Sequence, residues 1–150
     1  MNAFLRLAEP SPETKDWGIA VLRVVIGFTF LMHGWQKLFE LGLAGLPGMF
    51  AQMGAPLPEL TGPLVAVLEL VGGAALLAGL GTRWVAALLA IDMLAAILIV
   101  HLPDGFFAPM GFELPLVLLG GAVALTLAGP GAFALDRLVA HSEERVALLR

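Results

Sequence analysis

The segment "FLMHGWQKLFE" contains three side chains that could do chemistry within two helical turns. They are His33, Gln36 and Lys37. An imidazole exchanges protons near neutral pH, while an amide and an amine can orient a carbonyl oxygen. Two further groups, His101 and Glu113, stand at the ends of later apolar stretches. Two histidines, a carboxylate, an amine and an amide at one level form the best candidate site in the chain, although each residue alone could also serve a helix end or the membrane interface.

These groups belong to a chain whose composition is that of a membrane protein. It is 59% hydrophobic and 13% charged, whereas soluble domains carry about 25% charged residues. A helix needs roughly 20 apolar residues to cross a hydrocarbon layer of about 30 Å. Four such stretches cover residues 17–39, 58–80, 83–102 and 112–128. We expect a single all-α domain, an integral membrane four-helix bundle with up-down topology in the lipid bilayer.

The segments outside the predicted spans differ in character. Residues 1–16 predict a polar leader without the apolar core of a signal peptide. Residues 41–57 are apolar and rich in Gly and Pro, which favours a loop that lies on the interface or folds back toward the bundle, not a fifth span. Residues 133–150 predict a cytoplasmic tail helix, either lying on the membrane surface or solvated and serving only to anchor the topology.

The distribution of basic residues predicts the orientation of the spans. Cytoplasmic loops collect Lys and Arg. On the side of the termini lie Arg6, Lys15, Arg83, Arg137, Arg145 and Arg150. On the opposite side only Lys37 is basic. We therefore expect a multi-pass protein of the plasma (inner) membrane with both termini in the cytoplasm, and a polar site near the outer face.

Three ionisable residues fall well inside the predicted spans: Arg23, Glu69 and Asp92. A charge at the bilayer centre costs about 2.5–3.5 kcal/mol, so such residues are paired or functional. Because Glu69 lies on a stripe of small residues that lets helices approach closely, we expect Arg23 to pair with it. Asp92 should then be protonated at neutral pH. The alternative is that the pair only sets the register of the helices.

Composition also excludes several classes of function. The chain has no cysteine, which excludes thiolate catalysis, disulfide exchange and Fe–S ligation. The net charge of -4 comes with no basic stripe, so we expect no nucleic-acid partner. His33, His101 and Glu113 are ligand types that suit iron or zinc, but no spacing motif supports this, and we predict no metal site.

Four motifs resemble those of the DoxX family of small four-helix membrane proteins, over about residues 20–136. They are "RVVIGFTFLMHGWQKLF", "LELVGGAALLAGLGTR", "AAILIVHLPDGFFAPMGFELPLVLLGGA" and "GPGAFALD". The resemblance implies that the family's recurring polar residues are Arg23, His33, Gln36, Lys37, Glu69, His101 and Glu113. Asp92 is not among them. In the last motif this chain has Ala132 and Ala134, where relatives often have a basic residue and a serine.

The resemblance further implies quinone-linked chemistry, because founding members are associated with thiosulfate:quinone oxidoreductases and others are similar to quinone or catechol reductases. We expect a redox or detoxification subunit that binds a quinone or a similar small aromatic. His33, His101 and Glu113 are the predicted proton donors, and the predicted substrate-binding residues are Arg23, Gln36, Lys37 and Glu69.

Since the chain has no flavin or nicotinamide motif, electrons would come from a redox partner protein or a diffusible donor, and the chain alone need not be an enzyme. The alternative is a non-catalytic membrane scaffold or partner subunit of an oxidoreductase complex. Transport is a further alternative, and it would require a homo-oligomer, since four helices do not enclose a path.

Overall fold

The computed structural model of this protein describes residues 11–139, which are helical and contain no β-strand. Helix α1 covers Pro12–Trp35 and continues as a π-helical segment, Gln36–Leu41. A short helix α2 covers Leu46–Gln52, and α3 covers Pro58–Ala78. Helix α4 covers Thr82–Ala96 and continues through a π-helical turn, Ile97–His101, and a 3-10 turn, Leu102–Asp104. Helix α5 covers Glu113–Ala128. The all-α prediction is confirmed for these residues.

Three of the helical segments are long and apolar enough to cross a membrane: Pro12–Leu41, Pro58–Ala78 and Thr82–Asp104. Helix α5 has the same apolar character but only 16 residues. At a rise of 1.5 Å per residue it is about 24 Å long, somewhat less than the hydrocarbon layer. These helices coincide with the four apolar stretches of the sequence to within a few residues.

The largest difference from the predicted spans is the beginning of α1. The Ser11 side chain accepts a hydrogen bond of 3.2 Å from the N–H of Thr14, and Pro12 occupies the first turn. Both features favour helix initiation, so the helix begins five residues before the predicted span, inside the predicted leader. Residues 1–10 of that leader and 140–150 of the predicted tail helix lie outside the described residues.

Helices α1 and α3 pack backbone against backbone at glycines. A Cβ placed on Gly34 would overlap the backbone of Leu70, and one on Gly73 would overlap the backbone of Leu31. Without side chains at these positions the two helices approach more closely than larger residues allow. This contact determines which residues of α1 and α3 lie at the same level.

A continuous core joins these two helices to α4 and α5. It consists of Ile26, Phe30, Leu76, Ala86, Leu89, Met93, Leu118 and Leu125. The outward faces are also apolar, with Trp84 and Leu127 more than 70% exposed. Large apolar residues on both the inner and the outer faces are expected where lipid replaces water around the helices.

The segment between α1 and α3 folds back onto the helices. Leu46, at the beginning of α2, is fully buried, and a Cβ on Gly62 would lie 3.2 Å from the Leu46 Cβ. The beginning of α2 thus packs on α3, and a position of residues 41–57 on the membrane interface stays a prediction.

Candidate functional site

The central feature of the site is a buried ion pair between α1 and α3. The Lys37 Nζ donates to Glu69 Oε2, and the two side chains are 19% and 3% exposed. The predicted partner of Glu69 was Arg23, and that prediction is wrong. Because Gly34 contacts Leu70, Glu69 lies at the level of residues 34–37, while Arg23 lies about 16 Å further along the axis of α1.

Two more titratable residues surround the pair. His33 lies within electrostatic range of both Lys37 and Glu69. Asp92 on α4 interacts electrostatically with the same two residues. It is 8% exposed, and its Oδ2 has no hydrogen-bond partner among the described residues. We call His33, Lys37, Glu69 and Asp92 the ion-pair cluster.

The cluster reaches the surface of α1 through His33. This residue lines a shallow groove of about 230 Å³ together with Met32, Gln36 and Glu40. Gln36 is exposed and His33 half-buried. Of the sequence-predicted site residues, the structure thus brings together His33, Lys37 and Glu69, with Gln36 at the adjoining groove.

Arg23 belongs to a different region, at the end of the helices remote from Lys37. Its Nη1 donates to the carbonyls of Leu76 (3.0 Å) and Leu77 (3.4 Å) in the last turn of α3. Its Nη2 donates to the carbonyls of Ala132 (3.0 Å) and Phe133 (3.1 Å), after α5. A cation at a helix C-terminus satisfies orphan carbonyls and is favoured by the helix dipole. That Arg23 also binds substrate stays a prediction.

Asp136, which follows Ala132 and Phe133 in the chain, belongs to the same region. Its carboxylate accepts hydrogen bonds from the N–H groups of Gly81 (2.6 Å) and Thr82 (2.9 Å), at the beginning of α4. Its own N–H donates to the carbonyl of Gly79 at 2.9 Å. We call Arg23, Gly79, Thr82 and Asp136, with the segment 132–133, the helix-end junction.

Electrostatics at the junction favour the ionised form of Asp136. Burial alone would raise the pKa of its carboxyl, but the hydrogen bonds from Thr82 and Gly81 and the positive charge of Arg23 outweigh burial. The pKa of Asp136 is therefore below its ordinary value of 3.8.

His101 and Glu113 hold the connection between α4 and α5. The His101 Nδ1 is 2.7 Å from the carbonyl oxygen of Met110. Glu113 Oε2 accepts a hydrogen bond of 3.1 Å from the N–H of Ala108. The π-helical turn Ile97–His101 changes the helical register between Asp92 and His101, which a regular helix would place half a turn apart. The predicted role of His101 and Glu113 as proton donors is not tested by these contacts.

Sequence reasoning gave Asp136 no role in the site. One signal in the sequence pointed to it. Asp136 follows Gly129-Pro130, which ends the fourth apolar stretch, and so it lies at the same end of the helices as Arg23. Its partners are main-chain N–H groups of a turn distant in sequence, and no residue pattern identifies such groups. Asp92 was recognised as a buried charge, but its neighbours depend on how α4 packs.

The chemistry available to the ion-pair cluster is proton exchange and polar binding. It contains a carboxylate and an ammonium group in contact, an imidazole and a second carboxyl group, within apolar helices. No group of three or more metal-ligating side chains is present among residues 11–139.

Comparison with known proteins agrees with this architecture. The DoxX family model matches residues 18–102. An uncharacterized membrane protein of Mycobacterium tuberculosis is 35% identical in an alignment that covers 79% of this chain and 79% of its own. The Bacillus subtilis protein named "Putative oxidoreductase CatD" is 35% identical over 81% of this chain and 87% of its own. The Escherichia coli inner membrane protein YqjF is 35% identical over 83% and 94%.

No solved structure matches the chain significantly. The family match covers more than half of the sequence, and the relatives align over most of their own length. This chain is a membrane protein that belongs to the DoxX family.

Proposed function

We propose that this protein is a quinone-binding subunit of a membrane oxidoreductase or detoxification system, with the ligand bound at the ion-pair cluster. The observation that carries the proposal is the buried contact between Lys37 and Glu69, with His33 and Asp92 in range of it. Buried charges in a membrane helix are costly and mark functional sites. Lys37 and Gln36 can orient a carbonyl oxygen, and His33 can supply a proton.

A quinone suits this environment because it is a flat apolar ring with two carbonyl groups. The helices around the cluster supply apolar surface, and the cluster supplies a few convergent polar groups, which is the usual composition of a small-molecule site. The name of the Bacillus subtilis relative records an oxidoreductase, which supports redox chemistry for this chain as well. Electrons come from a partner protein or a diffusible donor, since the sequence has no flavin or nicotinamide motif.

Binding can be tested on the full chain in lipid nanodiscs, by titrating a short-chain ubiquinone or menadione and following tryptophan fluorescence. Trp35 lies two residues before Lys37 and is a suitable reporter. We expect Lys37→Met and His33→Ala to weaken binding by about tenfold or more, the equivalent of 1.4 kcal/mol each. Thr126→Val is the matched control, because the Thr126 hydroxyl bonds only within α5, to the Ala122 carbonyl.

The outcomes separate the candidate functions. Wild-type affinity in a folded Lys37→Met variant would show that the ligand does not bind at the cluster. If the wild-type protein binds neither quinone, the non-catalytic scaffold becomes the better interpretation. His101→Ala tests a predicted proton donor outside the cluster. Weaker quinone binding would extend the site to the connection between α4 and α5, and unchanged binding would exclude His101 from it.

We also propose that α1, α3, α4 and α5 span the inner membrane as an up-down four-helix bundle with both termini in the cytoplasm. Support comes from Lys15, Arg83 and Arg137, which lie on the side of the termini. Because the chain has no cysteine, single Ser11→Cys and Met53→Cys variants can be labelled with a membrane-impermeant maleimide. Met53→Cys should react in intact cells and Ser11→Cys only after permeabilisation; the reverse pattern would invert the topology.

A further inference from the structure

Asp92 is the member of the ion-pair cluster without a partner of its own. Its side chain lies in α4 and is 8% exposed, and Oδ2 is buried with no hydrogen-bond partner among the described residues. A buried polar atom without a partner in a native structure requires an explanation, which can be a catalytic role. Neither the resemblance to the family nor the comparisons assign Asp92 a role.

The charges that face Asp92 from the neighbouring helices leave it uncompensated. Helix α3 contributes Glu69, and α1 contributes Lys37, whose charge is already matched by that carboxylate. The terminal nitrogens of Arg23 are bonded to carbonyls at the helix-end junction. In α5 the only titratable residue is Glu113, at its first position. A second negative charge in this cluster would be both buried and unpaired, which protonation avoids.

We propose that Asp92 is a proton-binding residue of the ion-pair cluster and that His33 connects it to the outside. His33 is the one member of the cluster that lines the surface groove with Gln36 and Glu40, and it also faces the Lys37–Glu69 pair. Asp92, on α4, interacts electrostatically with the same two residues. The pair is therefore a common neighbour of the half-buried imidazole and the buried carboxyl group.

Proton exchange along this path conserves charge and bonds at each step. A proton leaves a ring nitrogen of the His33 imidazolium, and a new O–H bond forms on a Glu69 oxygen. That proton then passes to the Asp92 carboxylate, which restores the Glu69 anion beside Lys37. The reverse sequence releases a proton to the groove. Where two successive groups are not in direct contact, a bridging water molecule can carry the proton between them.

This inference deepens the proposed function and rests on the same site, because reduction of a quinone consumes protons that Asp92 could donate. Its test does not involve a quinone. If the proton site is present and no quinone binds, the proposed function fails while the inference stands. If a quinone binds and Asp92 holds no proton, the inference fails while the proposed function stands.

The test is infrared spectroscopy of the full-length protein in lipid nanodiscs at neutral pH. The carbonyl stretch of a protonated carboxylic acid is expected in the wild type, shifted in heavy water, and lost in Asp92→Asn. Lys37→Met should increase the band, because Glu69 then also takes up a proton. Asp136→Asn is the control, since that carboxylate accepts two main-chain hydrogen bonds, and its substitution should leave the band unchanged.

The route is tested by the rate at which the Asp92 band shifts after transfer to heavy water. His33→Gln should slow this exchange by about 10²-fold, the lower end of what a positioned acid–base group contributes. His101→Gln, a histidine bonded to the Met110 carbonyl, should exchange like the wild type. A band that persists in a folded Asp92→Asn variant overturns the proton site, and wild-type exchange in His33→Gln overturns the route.

Discussion

Two polar regions lie within this apolar protein, and they are built from different kinds of partners. At the helix-end junction, Arg23 and Asp136 bind main-chain carbonyl and N–H groups at the end of α3, the beginning of α4 and the segment after α5. In the ion-pair cluster, ionisable side chains from α1, α3 and α4 interact with one another. The first arrangement satisfies helix ends, while the second retains groups that can bind a ligand or a proton.

Burial of charge alone therefore does not identify a functional site in a membrane protein. Arg23 is 2% exposed, like Glu69, and both are ionisable groups inside an apolar helix. The difference is in what they bind. A side chain that donates hydrogen bonds to helix-end carbonyls holds helices together, because those carbonyls would otherwise have no partner.

The largest effect is expected from removal of the guanidinium at the junction. Arg23→Ala leaves the carbonyls of Leu76 and Ala132 without their donors and should destabilise the protein by roughly 4 kcal/mol. Thermal unfolding in detergent measures the loss. The control is Arg137→Ala, whose ion pair with Asp16 is exposed and is worth less than about 1 kcal/mol. Similar losses in both variants would contradict the assignment of Arg23 to the junction.

Breaking the ion pair of the cluster should cost somewhat less stability than Arg23→Ala, and a second substitution should restore part of the loss. Lys37→Met removes the counter-ion of Glu69. Glu69 must then either stay buried as an unpaired charge or take up a proton, and we expect either to cost about 3 kcal/mol. The double variant Lys37→Met/Glu69→Gln removes both charges and should recover most of that stability. A double-mutant cycle by thermal unfolding measures the coupling; additive single effects would mean that the pair contributes nothing by contact.

Disruption of the glycine contact between α1 and α3 should have an intermediate effect on stability. Gly34→Ala places a methyl group against the backbone of Leu70, and such overpacking costs about 2 kcal/mol. It should also weaken quinone binding, because Lys37 lies one turn further along α1. Gly18→Ala on the same helix is the matched control: a Cβ there meets nothing within 4 Å, and it should be neutral or stabilise by about 0.5–1 kcal/mol.

The smallest effect concerns the capping carboxylate of the junction. Asp136→Asn should cost about 1 kcal/mol at pH 7, because it weakens the cap on Gly81 and Thr82. Since folding lowers the pKa of Asp136, its contribution is present above the ordinary value of 3.8 and is lost as the pH falls through the lower folded value. The stability of the wild type should approach that of Asp136→Asn below that range, in unfolding measured as a function of pH.

Much of the helical framework was predictable from local signals. Pro58 begins α3 and Glu113 begins α5, each within one residue of the beginning of the predicted span. Long apolar runs and helix breakers act over a few neighbouring residues, so they are readable without knowledge of the fold. The beginning of α1 was missed by five residues because Ser11 caps the helix within a polar stretch.

The candidate site was predictable in its residue types and only partly in its pairs. His33 and Lys37 were placed on one face of the first helix, and the structure has both beside Glu69. The pairing of Arg23 with Glu69 was wrong because the stripe of small residues indicates that α3 packs closely on another helix but does not set the register between them. Ala132 contributes to the junction without a polar side chain, because Arg23 binds its backbone carbonyl.

The sequence by itself determined that this chain is an all-α protein with membrane-spanning helices and ionisable groups inside them, because hydrophobicity and helix signals are local properties. Only the tertiary structure decided which of those groups meet. The backbone contact of Gly34 with Leu70 sets the register of α1 against α3. In that register Glu69 lies beside Lys37, and Arg23 lies at the helix ends. Register is a relation between distant residues, and no single segment encodes it.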